Sequence, residues 1–270
     1  MPINPNNIEL QRYADGIPSV LRKKSVYTEL HFYRKSDVLV QLTKAFCDRF
    51  LPKYGDRTVD QMVQAARSVK QNIAEGLTDG RTSFEVEIKL LGIAKGSNQE
   101  LLEDYQDYLK QHHLNDWGRI ARSHRGAGNS GGSRNSSGSN NSSNSRDSSN
   151  SRDSMDSMEA GIASRYDKLL TFCRTHNDLA DYEPYFSKWT DEELCNTAIT
   201  LCHMVDKAMT TYIESLDREF VEEGGIRERM TAARLDMRGT QKQIIAQLEA
   251  ENALLRARIA SLERELEKRK

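Results

Sequence analysis

Glu75 and Glu100 are the residues of this chain that come nearest to a carboxylate pair, with Asn72 one helical turn before the first of them. Two carboxyl groups share the work of proton donor and acceptor only where they face one pocket from the same side. Without that pocket, Asn72, Glu75 and Glu100 form a polar network that fixes helix register, the reading their spacing favours. Cys195 with Cys202-His203, or Cys173 with His176, can be drawn as metal ligands. Neither set has the Cys-x2-Cys or His-x3-His spacing of a zinc site. Arg67, Lys70, Arg81, Lys89 and Lys95 supply cations for a phosphate backbone. Glu75, Glu85, Glu87, Glu103, Asp104 and Asp107 are interleaved with them, which favours a solvated face over an RNA site. There is no Walker loop, Gly-x-Gly-x-x-Gly or Gly-x-Ser-x-Gly. The expectation is a protein with no catalytic residue, no metal and no cofactor.

Helices must position these groups. Thr58 with Gln61 and Thr82 with Glu85 have the spacing of capping boxes, in which a hydroxyl and an amide or carboxylate satisfy orphan backbone donors. Gly76 lies just past the last apolar position of the first of these runs, where a left-handed helix stop favours glycine. Val59, Met62, Ala66, Val69 and Ile73 form its apolar stripe, and the small Ala65 and Ala66 allow a neighbour to approach closely. In the next helix Val86, Leu90, Ile93, Ser97, Leu101, Tyr105 and Tyr108 make one stripe, and Leu91, Ala94, Leu102 and Leu109 a second. Two stripes imply contacts on two sides, including other copies of the chain. An earlier helix is expected over about Ser36–Leu51 from Phe32, Leu39, Leu42, Phe46 and Phe50, ended by Pro52.

Asn72-Ile73-Ala74-Glu75-Gly76, preceded by Ala65-Ala66 and Ser68 and followed by Ala94-Lys95-Gly96-Ser97 and Glu100-Leu101, resembles a bacterial four-helix-bundle family. That family includes proteins encoded in 23S rRNA intervening sequences and the accessory variability determinant of diversity-generating retroelements. The resemblance covers roughly residues 31–115, with one departure: Val63 and Gln64 stand where the family often carries Arg before the Ala pair. Phe220–Met230 resembles the suffix domain that follows such bundles. The resemblance implies a four-helix bundle assembled as a pentamer, without catalytic residues. It also implies RNA and a reverse-transcriptase-like protein as partners.

Composition sets the frame. The 270 residues carry a net charge of −1 and are only 37% hydrophobic, so any nucleic-acid surface must be local or arise on assembly. No run approaches the ~20 apolar residues of a membrane span. The N-terminus lacks signal-peptide character, and the four cysteines have no framework spacing, which together predict a cytoplasmic protein with free thiols. Residues 1–30 read as an arm whose Arg22-Lys23-Lys24 cluster is solvated. Residues 31–118 hold the first bundle helices.

Residues 119–160 read as a disordered Ser/Asn/Gly-rich linker, with Asn-Ser-Arg-Asp-Ser repeated and arginines largely cancelled by aspartates. Residues 161–237 hold a short helix from Tyr166, an aromatic patch at Tyr182, Tyr185, Phe186 and Trp189, and a fourth bundle helix. That helix opens on a Thr190–Glu193 box and closes at Gly224-Gly225. In residues 238–270, Ile245, Asn252, Ile259 and Leu266 alternate with Leu248, Leu255 and Leu262 in heptads. This is the a/d pattern of a parallel two-stranded coil, with Asn252 setting register. Glu251 with Arg256, Arg258 with Glu263 and Glu265 with Lys270 are attractive g–e pairs.

The expectation is an all-α chain: an antiparallel four-helix bundle, a disordered insert and a C-terminal parallel coiled coil. It is a self-associating assembly protein, pentameric by resemblance and dimeric by zipper. Two functions stay open: binding RNA or a nucleic-acid-processing partner, or scaffolding in which the coil recruits another protein.

Overall fold

Periodic apolar stripes make the described part of this chain helical, and no strand occurs among the described residues. The structure, a computed structural model, describes residues 26–52, 57–80, 82–129 and 148–268. After a 3-10 turn at Tyr27–Glu29 come α1 (His31–Phe50), α2 (Thr58–Asp79), α3 (Phe84–Gln111) and α4 (Trp117–Asn129). They are followed by α5 (Ser148–Thr175), α6 (Leu179–Phe186), α7 (Asp191–Glu223) and α8 (Ile226–Glu267). No helix among the described residues is long and apolar enough to cross a membrane. The chain divides into two compact units.

The larger unit spans residues 24–80 and 85–216. Its core joins α1, α2, α3 and α7. Phe46 of α1 packs its ring on Tyr105 and Tyr108 of α3 at 5.2 and 4.8 Å, and the Tyr105 hydroxyl donates to Thr43 at 3.0 Å. Helices α3 and α7 run antiparallel. The Tyr212 hydroxyl donates to Glu87 and Asn98 Nδ2 donates to the Cys202 carbonyl, while at the other end the Tyr108 hydroxyl donates to Asp191. Helices α2 and α3 also run antiparallel, with Gly76 beside Leu90 and Ser68 beside Ser97. Around this core, α4 is pinned to α7 by the Trp117 N–H bonded to Asn196 Oδ1 at 2.8 Å and the indole N–H bonded to Glu192 at 2.5 Å. Phe172 of α5 packs edge-on against Tyr182, Tyr185 and Trp189. The aromatic patch read from the sequence is thus a cluster organised by Phe172.

Several boundaries differ from the sequence reading. Helix α1 begins at His31, ahead of Ser36, because Ser36 is itself buried and bonds back to the Tyr33 carbonyl within the helix. Gly76 does not end α2. The helix continues to Asp79, Gly76 accepts a bond from the Gly80 N–H, and a Cβ at Gly76 would lie 3.2 Å from Leu90 Cβ. Its role is close approach, not termination. Arg57 holds the N-cap position of α2 without a side-chain cap, so Thr58 is already inside the helix and not the opener of a capping box. The Thr190–Glu193 box does form, with Glu193 N–H on Thr190 Oγ1 at 3.2 Å and Thr190 N–H on Glu193 Oε2 at 2.9 Å.

The expected 119–160 linker is helical at both ends, where α4 and α5 enter it. Trp117 and Ala121 on one side and Ile162, Ala163, Leu169 and Cys173 on the other supply enough burial to order these flanks. Residues 130–147, the start of the repeat and the Arg22-Lys23-Lys24 cluster lie outside the described residues.

The second unit contains residues 81–84 and 217–270. Phe84 packs edge-on against Phe220 at 5.4 Å, and the Arg229 guanidinium lies 5.5 Å from the Phe84 ring centroid. Gly224 takes φ +72°, and a Cβ there would meet Glu228 at 2.9 Å, so the break between α7 and α8 requires glycine. None of the 42 residues of α8 is buried.

Candidate functional site

The residues of the family-like motif do not form a catalytic pair. Asn72 Nδ2 donates to the Ser68 carbonyl at 2.9 Å and lies 3.1 Å from Ser68 Oγ, which is 2.8 Å from Ser97 Oγ on α3. The polar link between α2 and α3 is therefore Asn72–Ser68–Ser97. Glu75 and Glu100 are exposed and take no part in it. The expected network of Asn72, Glu75 and Glu100 is therefore corrected: only Asn72 joins the link, and Ser68 and Ser97 stand where the glutamates were expected. Gly96 is exposed, and a Cβ there would meet nothing within 4 Å.

The surface between α2 and α3 is concave, with a volume of about 940 Å³, and is lined by Glu100 but not Glu75. Asp60, Glu103, Asp104 and Asp107 share it with Arg57 and Arg67. Burial, then the nearby charges of Asp107, Glu100 and Glu103, hold the Asp104 carboxyl above the usual carboxylate range. A phosphate backbone meets repulsion there. Two of the expected nucleic-acid-binding cations are engaged within the protein. Lys70 Nζ sits 2.6 Å from Asp37 Oδ1, and Lys95 pairs with Asp206 at 3.1 Å while donating to Thr210. Arg67 and Lys89 are exposed. Arg81 lies outside the described residues.

The thiols are no better placed for chemistry. Cys47, Cys173, Cys195 and Cys202 are free and buried. Burial pushes Cys47 up to about 12 and Cys173 up to about 11, and raises Cys195 and Cys202 as well. All stay protonated at neutral pH, whereas nucleophiles and metal ligands are thiolates. His203 is exposed while Cys202 faces the core, so the adjacent pair does not converge on one metal position.

Two surfaces stand out instead. On α8 the heptad positions Ile245, Leu248, Asn252, Leu255, Ile259, Leu262 and Leu266 are all exposed, the apolar ones between 44% at Leu262 and 64% at Leu266. The other is a groove on the larger unit centred on Lys35, which sequence reasoning missed. The signal was present: Lys35 falls three residues after Phe32 and four before Leu39, on the apolar stripe of α1. A lysine there must be buried and must find oxygen partners. Its Nζ donates to the carbonyls of Cys173 and His176 at the end of α5.

Comparison with family profiles, curated proteins and solved structures finds no match to this chain.

Proposed function

We propose that this chain is a non-enzymatic, self-associating assembly protein. In this reading α1, α2, α3 and α7 form an antiparallel four-helix bundle, with α4–α6 as a helical insertion between the third and fourth members. Helix α8 pairs with a second copy as a parallel two-stranded coiled coil. The observation that carries the reading is a helix about 63 Å long by its rise with no buried residue and its a and d side chains turned to solvent. Burying a Leu or Ile contributes about 1.5–3 kcal/mol. Isolated helices draw little stability from propensity alone, so a heptad stripe of this length is accounted for by a partner helix.

The pattern favours an identical partner in register. Glu251 faces Arg256 and Arg258 faces Glu263 between parallel copies, and Asn252 meets Asn252. In the single chain Asn252 Nδ2 bonds back to the Leu248 carbonyl at 2.9 Å, a bond the paired helix would exchange for the cross-strand one. Pairing brings two bundles together and raises the avidity of anything the bundles bind. The RNA-accessory reading draws on the resemblance alone, and the pairing of Lys70 and Lys95 with aspartates weighs against it.

Light-scattering mass across a gel-filtration peak tests the proposal, with Leu255→Glu beside the parent protein. The expected result is twice the 30.8 kDa chain mass for the parent and the chain mass for the variant. A pentamer indifferent to Leu255→Glu would reject it. So would a complex with RNA that high salt strips away.

A further inference from the structure

Between α1, α5 and α7 the larger unit carries a groove of about 790 Å³, within the range of sites that hold small ligands. Its floor is apolar, from Phe32, Leu170, Met204 and Ala208, with the ring of Tyr212. Lys35, Arg174, His203 and Lys207 stand among these, and among the described residues no aspartate or glutamate lines the groove. That is selective in a chain where 40 acids balance 39 lysines and arginines. The opposite case is on the same unit, since the charged residues lining the concave surface between α2 and α3 are mostly acids, Asp60, Glu100, Glu103, Asp104 and Asp107 against Arg57 and Arg67.

Lys35 makes the groove cationic from below. The residue is only 7% exposed, and its Nζ is held by the Cys173 and His176 carbonyls, at the negative end of the α5 dipole. Burial lowers its pKa, and no carboxylate is among the groups that act on it; the neighbours are Cys173 and Arg34. Carbonyl dipoles satisfy the donors of an ammonium but do not cancel its charge. Arg174 and Lys207 are exposed at the rim above it.

An apolar floor with uncompensated cations suits one ligand chemistry. A bare phosphate would leave the floor wet, and a neutral hydrocarbon would leave the cations unanswered. The α7 residues that line the groove, Thr200 to Ser215, cover about 22 Å of helix with Lys207 near the middle, so a long acyl chain held there by its head lies bent over the apolar floor. We propose that this groove binds a free long-chain carboxylate, its head group among Lys207, Arg174 and His203 and its tail along Leu170, Met204 and Ala208. The proposal does not depend on pairing through α8, since every lining residue belongs to the larger unit.

Titration calorimetry of the full chain with palmitate, below its micelle concentration, is the test. The comparisons are hexadecyltrimethylammonium, which has the same tail and the opposite head, and acetate, which has the head alone. A second arm uses Arg174→Glu/Lys207→Glu, reversals at exposed positions whose fold is checked by circular dichroism. The expected result is saturable binding of palmitate at one per chain, no saturable binding of the other two, and at least a tenfold loss of affinity in the variant. Equal binding of both long-chain amphiphiles, or palmitate affinity unmoved by the charge reversal, would overturn the proposal. So would a change in oligomer mass caused by the reversal in a protein that takes up no palmitate, which would assign the groove to a second copy of the chain.

Discussion

The larger unit and the C-terminal helix use similar apolar residues to opposite ends. In the unit, Leu39, Leu42, Phe46, Leu101 and Tyr105 are fully buried, and the buried hydroxyls of Thr43 and Tyr105 bond to each other. On α8, Leu248, Leu255 and Leu262 are exposed among the described residues. The periodicities differ in kind. The buried helices show broad stripes matching the 3.6-residue turn, whereas α8 keeps a strict seven-residue repeat with complementary charges beside it. A broad stripe is completed within the chain. A narrow heptad seam is, in the proposal made above, completed by a second copy.

Substitutions that separate the two regions follow from this contrast. The largest effect belongs to Phe46→Ala. It removes a ring at 0% exposure that packs against Phe50, Tyr105 and Tyr108, so it is expected to cost about 3–5 kcal/mol in denaturant unfolding. Leu255→Ala on α8 should leave the unfolding of the larger unit unchanged and act on subunit mass. If Leu255→Ala destabilised that unit comparably, the two regions would not be energetically distinct.

A paired glycine test sharpens the account of the motif. Gly76→Ala places a Cβ 3.2 Å from Leu90 Cβ and 3.4 Å from the Glu87 carbonyl, and should destabilise by about 1–3 kcal/mol despite alanine's better helix propensity. Gly96→Ala meets nothing and should stabilise by up to about 1 kcal/mol. Thermal melts of both would settle the signs. Destabilisation by Gly96→Ala would reveal another chain packed on that face of α3.

Asn252→Ile should raise the melting temperature of the paired helices by removing a polar a position, at the expense of a single oligomeric state. Sedimentation velocity would show species beyond the dimer. The smallest effect is electrostatic. The folded pKa of Asp104 lies above its unfolded value of 3.8, so the fold favours its protonated form. Its contribution to stability rises as pH falls through the folded value and levels off below the unfolded one. Asp104→Asn should remove that rise and slightly stabilise the protein at pH 7, as read from melting temperature against pH.

How far each region could be read in advance has a physical explanation. The apolar stripes of α1 and α2, the Leu91, Ala94, Leu102 and Leu109 stripe of α3 and the Thr190–Glu193 box were legible because each depends on spacing along a single helix, whereas Val86 and Ile93 of the other α3 stripe are exposed. Gly76 was misread because chain position makes a glycine near a helix end look like a stop. Its reason, Leu90 on another helix, is tertiary. The helical flanks of the 119–160 segment were missed because its Ser/Asn-rich composition carries little apolar periodicity, and the burial of Ala121 within it and of Ile162 and Ala163 just past it depends on α4 and α5 packing together. The candidate site was least legible. Lys70 and Lys95 were grouped with the other cations by shared helices, but their meaning turned on partners distant in sequence, Asp37 and Asp206. The groove around Lys35 needed α1, α5 and α7 together, and no local pattern joins them.

The most direct test of the central claim is oxidative cross-linking of Leu248→Cys. Position 248 is a d residue, which a parallel in-register pair brings against its own copy, and the native cysteines are buried and unreactive. The account predicts near-complete conversion to a disulfide-linked dimer that retains its helical signal. It also predicts no cross-linking at an outward position such as Ala253→Cys. A chain that stays monomeric at position 248, or that cross-links equally at both positions, would contradict it.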